Sequence, residues 1–456
     1  MRKKINRRTF LKVMGAAALA GAAGSLTGCG SSGQGDGKNT IIRVAFNQPE
    51  THAEYIALAD FGEKFAAATN GRYQVEIYPN AVLGDQGPVT EMIRTGALQL
   101  AVVPMSVPES YNSDFAIIAA PYLYDDLEQM ETAAREGVFD PLFATTDKFN
   151  FEVATLYTSG ARHIYTDKPI VTPEDLKGCK IRVQDSDTYI RMIDLMGGVG
   201  IAMAQSDVYA AVQQHVIEGG ENSEVVYNNF KHYEVSPYFS YTNHLVMTDV
   251  VVVNKDFLDD MDEDTRATFR RLMKESMEVE FEAWDQNIED AKAVLEQHGV
   301  TFVESDIAAF RERCMPLLES IANRSEMTRS VYDQVMAIKE REALTRYLFV
   351  WLVLITSTYA FGSRDHMYIS ALNDRLRGKT RTVVNILIEI LTILFAACVM
   401  VFGGSIITRM QMVSLDSSLH IPMGVVYAVI PVCGVITVFY CICNILKELE
   451  KAKEAA

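Results

Sequence analysis

The sequence predicts an α/β region folded as two lobes, followed by a membrane region of three α-helices. Short β-rich runs alternate with helical patterns from Ile41 to Val253, which implies α/β architecture with largely parallel sheets. That region continues to about Lys339, and its roughly 300 residues exceed one comfortable core, so two lobes are expected. Beyond Leu344 the composition shifts abruptly to long apolar runs.

Ahead of the first strand stands an export address, residues 1–29. It runs Asn6-Arg7-Arg8-Thr9-Phe10-Leu11-Lys12, then a small apolar stretch from Val13 to Ala23, then Leu26-Thr27-Gly28-Cys29. Paired arginines followed by Phe-Leu-Lys resemble a twin-arginine export signal. The tetrad ending at Cys29 resembles a bacterial lipoprotein box, which implies lipidation of Cys29; an ordinary signal peptide with an incidental cysteine is the alternative. Residues 30–40, Gly/Ser-rich, are expected to form a flexible linker. Whatever follows such an address works outside the cytoplasm.

The expected elements then follow in order. Ile41 to Phe46 is a strand, and a helix from about Ala53 to Thr69 is stopped by Asn70-Gly71. Tyr73 to Tyr78 is a strand, Val89 to Ala97 a helix, and Leu100 to Val103 a strand. Phe151 to Leu156, Lys180 to Val183 and Asp249 to Val253 are further strands, with a helix from Asp207 to about Val216. A long charge-laced helix covers about Asp262 to His298 and ends at Gly299, its acidic first turn suiting the helix dipole. A last helical stretch spans about Asp306 to Lys339.

A net charge of −17 across 456 residues, without a basic patch interleaved with aromatics, excludes nucleic acid as a partner. An acidic protein can still bind an anion, since a few arginines in a cleft decide the ligand. None of the seven cysteines has zinc or redox spacing. Cys179 and Cys314 stand in the region that an oxidising compartment would expose, and their pairing is left open. His52, His163 and His244 are isolated, so no metal or cofactor is expected. No nucleophile–base pair or phosphate loop points to an enzyme.

Several segments carry a resemblance. Thr69-Asn70-Gly71-Arg72, Tyr78-Pro79-Asn80 and Leu83-Gly84-Asp85 are similar to the opening of the DctP-type solute-binding proteins of tripartite ATP-independent periplasmic (TRAP) transporters. Ala120-Pro121-Tyr122-Leu123-Tyr124, Thr172 to Gly178 with Lys180-Ile181-Arg182-Val183, Asp207 to Gln213, and Glu218-Gly219-Gly220-Glu221-Asn222 continue it in the family's order. The resemblance, from about Ile41 to Lys339, implies a two-lobed periplasmic-binding-protein clamshell that closes on a small organic carboxylate. It places the carboxylate-binding arginine at Arg182, a second arginine at Arg162, a pocket amide at Asn222 and a polar contact at Asn47. A guanidinium anchored on a strand offers a planar fork that a carboxylate meets with two charge-assisted hydrogen bonds. The chain departs from the family pattern between Gly197 and Ala204 and at Ser223, which weakens any transfer of ligand identity.

The apolar runs lie at about 344–362, 383–407 and 421–445 within an expected membrane domain, residues 340–456. Each approaches or exceeds the ~20 residues that span a bilayer's hydrocarbon core. The stretch Arg341 to Leu352, with His366 after it, resembles DctQ, the small TRAP membrane subunit, whose full form the resemblance gives as four helices. A domain already exported makes the first of those helices unnecessary. The loop with Arg364, Arg375, Arg377, Lys379 and Arg381 belongs inside by the positive-inside rule. Glu389 either snorkels toward the interface or meets a partner permease.

The expectation is therefore a membrane-mounted receptor, its binding domain on the extracytoplasmic side. It would take up a dicarboxylate, a uronate or a related sugar acid and pass it to a large TRAP permease subunit. A membrane-anchored sensor, or a degraded gene fusion in which only the receptor works, are the alternatives.

Overall fold

The computed structural model describes residues 39–363, 379–416, 419 and 421–454. The export address, Cys29 and most of the arginine-rich loop after Gly362 lie outside the described residues.

Among the described residues the nine strands are β1 (Thr40–Ala45), β2 (Tyr73–Tyr78), β3 (Leu100–Pro104), β4 (Phe151–Thr166), β5 (Lys180–Val183), β6 (Val199–Ala202), β7 (Gly219–Asn222), β8 (Tyr238–Asn254) and β9 (Thr301–Glu304). They make one sheet in the order β2-β1-β3-β8-β4-β7-β5-β6, with β9 pairing β8. The expectation of largely parallel strands is corrected here. The outer pairs β1/β3, β5/β6, β5/β7 and β8/β9 are parallel, but β3/β8, β4/β8 and β4/β7 are antiparallel. The reason is the length of β4 and β8, 16 and 17 residues, of which the sequence pattern showed only one half each. The hidden halves hold Gly160, His163, Thr242, Asn243 and His244, which interrupt the apolar pattern by which a strand is recognised.

These two strands run through both lobes. The first half of β4 and the second half of β8 carry β3 and β1. The second half of β4 carries β7 and β5, and the first half of β8 carries β9. Where the lobes meet, the β4/β8 register slips between Thr158 and Ala161. Gly160 sits in that slip at φ +79°, and a Cβ there would lie 2.6 Å from Cζ2 of the buried Trp284. Only glycine fits such a bulge without strain.

Of the helices, α1 (Ala53–Ala68), α2 (Leu127–Arg135), α3 (Asp187–Met196), α4 (Glu263–Gln297), α5 (Ile307–Ala322) and α6 (Glu326–Ser363) concern the argument. The first lobe's core joins Ile42 and Val44 of β1 to Phe61 and Phe65 of α1 and Phe269 of α4. Helix α4 begins as expected, the Asp262 side chain accepting from Thr265 N–H, and supports the bulge from behind. Glu280 accepts a hydrogen bond from Thr158 N–H at 2.8 Å. Beside it Glu54 and Asp249 are buried in side-chain contact, and burial pushes the Glu54 and Glu280 carboxyls well up and Asp249 to about 6. Cys179 and Cys314 share the larger core as free thiols, so the disulfide left open by the sequence is not formed.

Helix α6 is continuous over 38 residues, about 57 Å at 1.5 Å per residue. Val331, Val335, Ile338 and Ala343 are buried in its first half, and Lys339 and Arg341 pair with Asp125 (3.3 Å) and Glu136 (2.5 Å). The second half exposes Leu348, Phe349, Leu352 and Ile355, as a lipid-facing helix does. The expected boundary after Lys339 thus falls inside an unbroken helix. Tyr347 hydrogen-bonds Asp416, and Trp351 Nε1 donates to Val426 O at 3.0 Å. Among the described residues three helices are long and apolar enough to cross a membrane, Glu326–Phe361, Thr380–Met410 and Met423–Lys453. Gly434 lets the third approach the second closely: a Cβ there would lie 2.8 Å from Met400 Cβ.

Candidate ligand-binding site

A cleft of about 450 Å³ opens between the two lobes. One wall is Asn47, at the end of β1, with Asn80 and Ala81; the other is Arg182, Gln184, Met203, Gln205, Asn229 and Phe230. The first wall is held by backbone bonds. Asn80 N–H donates to Gln48 O and Ala81 N–H to Phe46 O, both at 3.0 Å, with Asn80 and Ala81 in the left-handed region at φ 57° and 54°. A wider hollow of about 830 Å³ along Asn323, Arg329 and Ala337 is an open surface groove without a buried charge, so volume alone does not pick the site.

Arg182 projects from β5, which lies between β6 and β7 in the parallel part of the sheet. The residue is 3% exposed. Its Nε donates to Met203 O and its Nη1 to Gln205 Oε1, both at 2.8 Å. Both acceptors are neutral. Among the described residues no carboxylate pairs with Arg182, and its Nη2 has no hydrogen-bond partner. Burial pulls the guanidinium down to about 10, partly offset by Tyr165 and Glu221. A cation taken out of water without a counter-ion is a costly arrangement that a bound anion relieves.

Arg162 and Asn222, the other arginine and the amide singled out by the sequence, are not among the residues lining the cleft. On β4 and β7, with His163 in register with Asn222, they form a closed network instead. Arg162 meets the Glu221 carboxylate with both Nε and Nη2, donates from Nη2 to Glu221 O at 2.8 Å, and from Nη1 to Asn222 Oδ1 at 3.1 Å. His244 Nε2 lies 3.5 Å from the same carboxylate. Burial by itself would raise the Glu221 carboxyl, but Arg162 and then His244 hold it at about 2. The structure therefore brings Arg182 and Asn47 together in the cleft and sets Arg162 and Asn222 outside its lining.

Of the lining residues the sequence singled out Asn47 and Arg182 but not, among others, Asn80, Gln205 and Phe230. Asn80 lay inside a quoted motif, Tyr78-Pro79-Asn80, and its position was the available signal. Gln205 and Phe230 carried none: Gln205 meets Arg182 only once β6 pairs with β5, and Phe230 comes from the end of the helix Glu224–Asn229 that follows β7.

Residues 44–325 match the family model of bacterial extracellular solute-binding protein, family 7. Residues 327–451 match that of the tripartite ATP-independent periplasmic transporters, DctQ component. A TRAP periplasmic solute-binding protein from Anaerococcus prevotii, solved with bound α/β-D-glucuronate, is 32% identical with a TM-score of 0.64, covering 66% of this chain and 99% of its own. Another from Chromohalobacter salexigens, solved with D-glucuronate, is 28% identical with a TM-score of 0.62, covering 65% and 99%. The C4-dicarboxylate-binding periplasmic protein DctP of Vibrio cholerae is 26% identical over 253 residues, 55% of this chain and 76% of that protein.

Proposed function

Because the chain belongs to family 7 of the bacterial extracellular solute-binding proteins and carries a TRAP-transporter DctQ component behind that domain, we propose that it captures a sugar acid outside the cytoplasm and delivers it to a TRAP-type secondary transporter. The observation that carries the reading is the unneutralised, buried guanidinium of Arg182 at the wall of an interlobe cleft. Its free Nη2 faces the need of a carboxylate, and water exclusion on closure strengthens the pair.

The cleft's charge balance favours a uronate over a dicarboxylate. Among the described lining residues Arg182 is the one cation, while Asp85 and Asp185 are carboxylates. A second acid group on the ligand would meet like charge, whereas hydroxyls find acceptors in Asp85 and Asp185 and amides in Asn47 and Asn80. Solved relatives hold D-glucuronate, which fits one acid and several hydroxyls. Asn222 keeps its Nδ2 uncommitted among the described residues, and lobe closure would bring it to the same ligand, with Arg162 orienting it from behind. The membrane helices would then seat the receptor beside a large permease that supplies the ion-coupled step.

Calorimetry on the purified chain tests this directly. D-glucuronate should bind and succinate should bind far more weakly. Arg182→Ala should weaken glucuronate by two to nearly four decades, from the roughly 3–5 kcal/mol lost when one partner of a desolvated ion pair is removed. Unchanged affinity in that variant would remove Arg182 from the site.

A further inference from the structure

We propose that Gln205 is the positioning residue of the anion site: it holds the Arg182 guanidinium in place without neutralising it, and thereby sets how tightly an acid is bound. The inference rests on the reading of Arg182 as the partner of the ligand's carboxylate.

The geometry is local and complete. Strand β6 pairs in parallel with β5, Arg182 opposite Ile201, and Met203 N–H donates to Val183 O at 3.2 Å. The chain leaving β6 is therefore laid alongside the arginine. Its next residues turn through the short 3-10 segment Gln205–Asp207. Met203 presents a carbonyl to Nε, and Gln205 presents an amide oxygen to Nη1. Two fixed bonds on two different nitrogens orient the planar fork and leave Nη2 for the cleft. Met203 lies in the stretch from Gly197 to Ala204 where the sequence departs from its family's pattern, and Gln205 follows that stretch directly.

The same sheet contains the contrasting case. Arg162 is as deeply buried as Arg182, but its partner is the carboxylate of Glu221. That guanidinium has its charge cancelled inside the protein and offers an outside anion little. The two sites differ chiefly in one group, an amide at 205 against a carboxylate at 221. Glutamate has the length of glutamine, so at position 205 it would reach Arg182 and cancel its charge. Leucine is one atom shorter and has no acceptor, so it would release the fork without cancelling anything.

These substitutions separate positioning from a merely structural role, because stability and affinity should move in opposite directions for one and together for the other. In the full-length protein, Gln205→Glu should raise the ligand-free melting temperature by about 2–4 °C, since a lone buried cation gains its counter-ion. It should also weaken D-glucuronate binding by about 100-fold or more. Gln205→Leu should lower the melting temperature and weaken binding by about tenfold, the loss of one hydrogen bond to a charged group. If Gln205→Glu binds like the parent, or loses stability and affinity together as Gln205→Leu does, the proposal is overturned. Arg182→Ala in the same series keeps the two ideas apart. Normal binding by Arg182→Ala defeats the reading of the site itself, whereas lost binding there with normal binding by Gln205→Glu defeats only the role given to Gln205.

Discussion

Arg162 and Glu221 are locked in a doubly hydrogen-bonded ion pair, each side chain 1% exposed, next to the point where β4 and β7 meet. Breaking such a pair from one side leaves the other charge stranded. Arg162→Met should therefore destabilise the receptor domain by about 3–5 kcal/mol in urea unfolding. Adding Glu221→Leu should recover much of the loss, since an apolar pair of similar volume can replace a buried ion pair. A double variant no more stable than the single one would contradict this account.

Acidity should stabilise the fold around Glu54, Asp249 and Glu280. Burial raises all three carboxyls, with the negative charges of Asp249 and Glu280 adding to the shift at Glu54. A raised carboxyl binds its proton more tightly folded than unfolded. Its contribution is thus full below the ordinary carboxylate range and is lost as pH rises through the folded value, about 6 for Asp249. The melting temperature should fall as pH rises from 5 to 7. Glu54→Gln imitates the protonated acid and should flatten that slope; an identical slope in both proteins would count against the cluster.

The bulge on β4 depends on a missing side chain. Gly160→Ala would force a Cβ against Trp284 at an unfavourable φ, and should destabilise by at least about 1–3 kcal/mol. Relief of part of that loss by Trp284→Phe, seen in chemical denaturation, would tie the effect to this contact. Equal loss with either aromatic would point elsewhere.

Two halves of helix α6 should answer two different assays. Val335 is fully buried in the receptor's core, so Val335→Asp should abolish cooperative melting and ligand binding by leaving an unpaired charge inside. Leu348, on the apolar half, is exposed. Leu348→Asp should leave D-glucuronate affinity within about twofold while reducing recovery in the membrane fraction. Lost affinity with Leu348→Asp would mean that the helix does not divide its work this way.

Much of this molecule is legible from local order. The alternation of short strands and helices, the acidic start of α4, the three apolar runs and the Lys180 to Val183 motif each depend on residues adjacent in the chain, and each appears in the structure. Arg182 lies at the wall of a cleft. The rest depends on groups far apart in sequence. The extra halves of β4 and β8 exist because partner strands complete their hydrogen bonds, which outweighs the weak strand preference of Gly160 and Asn243. Helix α6 runs on through Lys339 because Asp125 receives that charge from another part of the fold. The family resemblance, carried by residues adjacent in the chain, singled out two arginines, Arg162 and Arg182. Which of them is paired with a carboxylate was decided only in three dimensions, where β7 brings Glu221 to Arg162 and the turn after β6 brings an amide to Arg182.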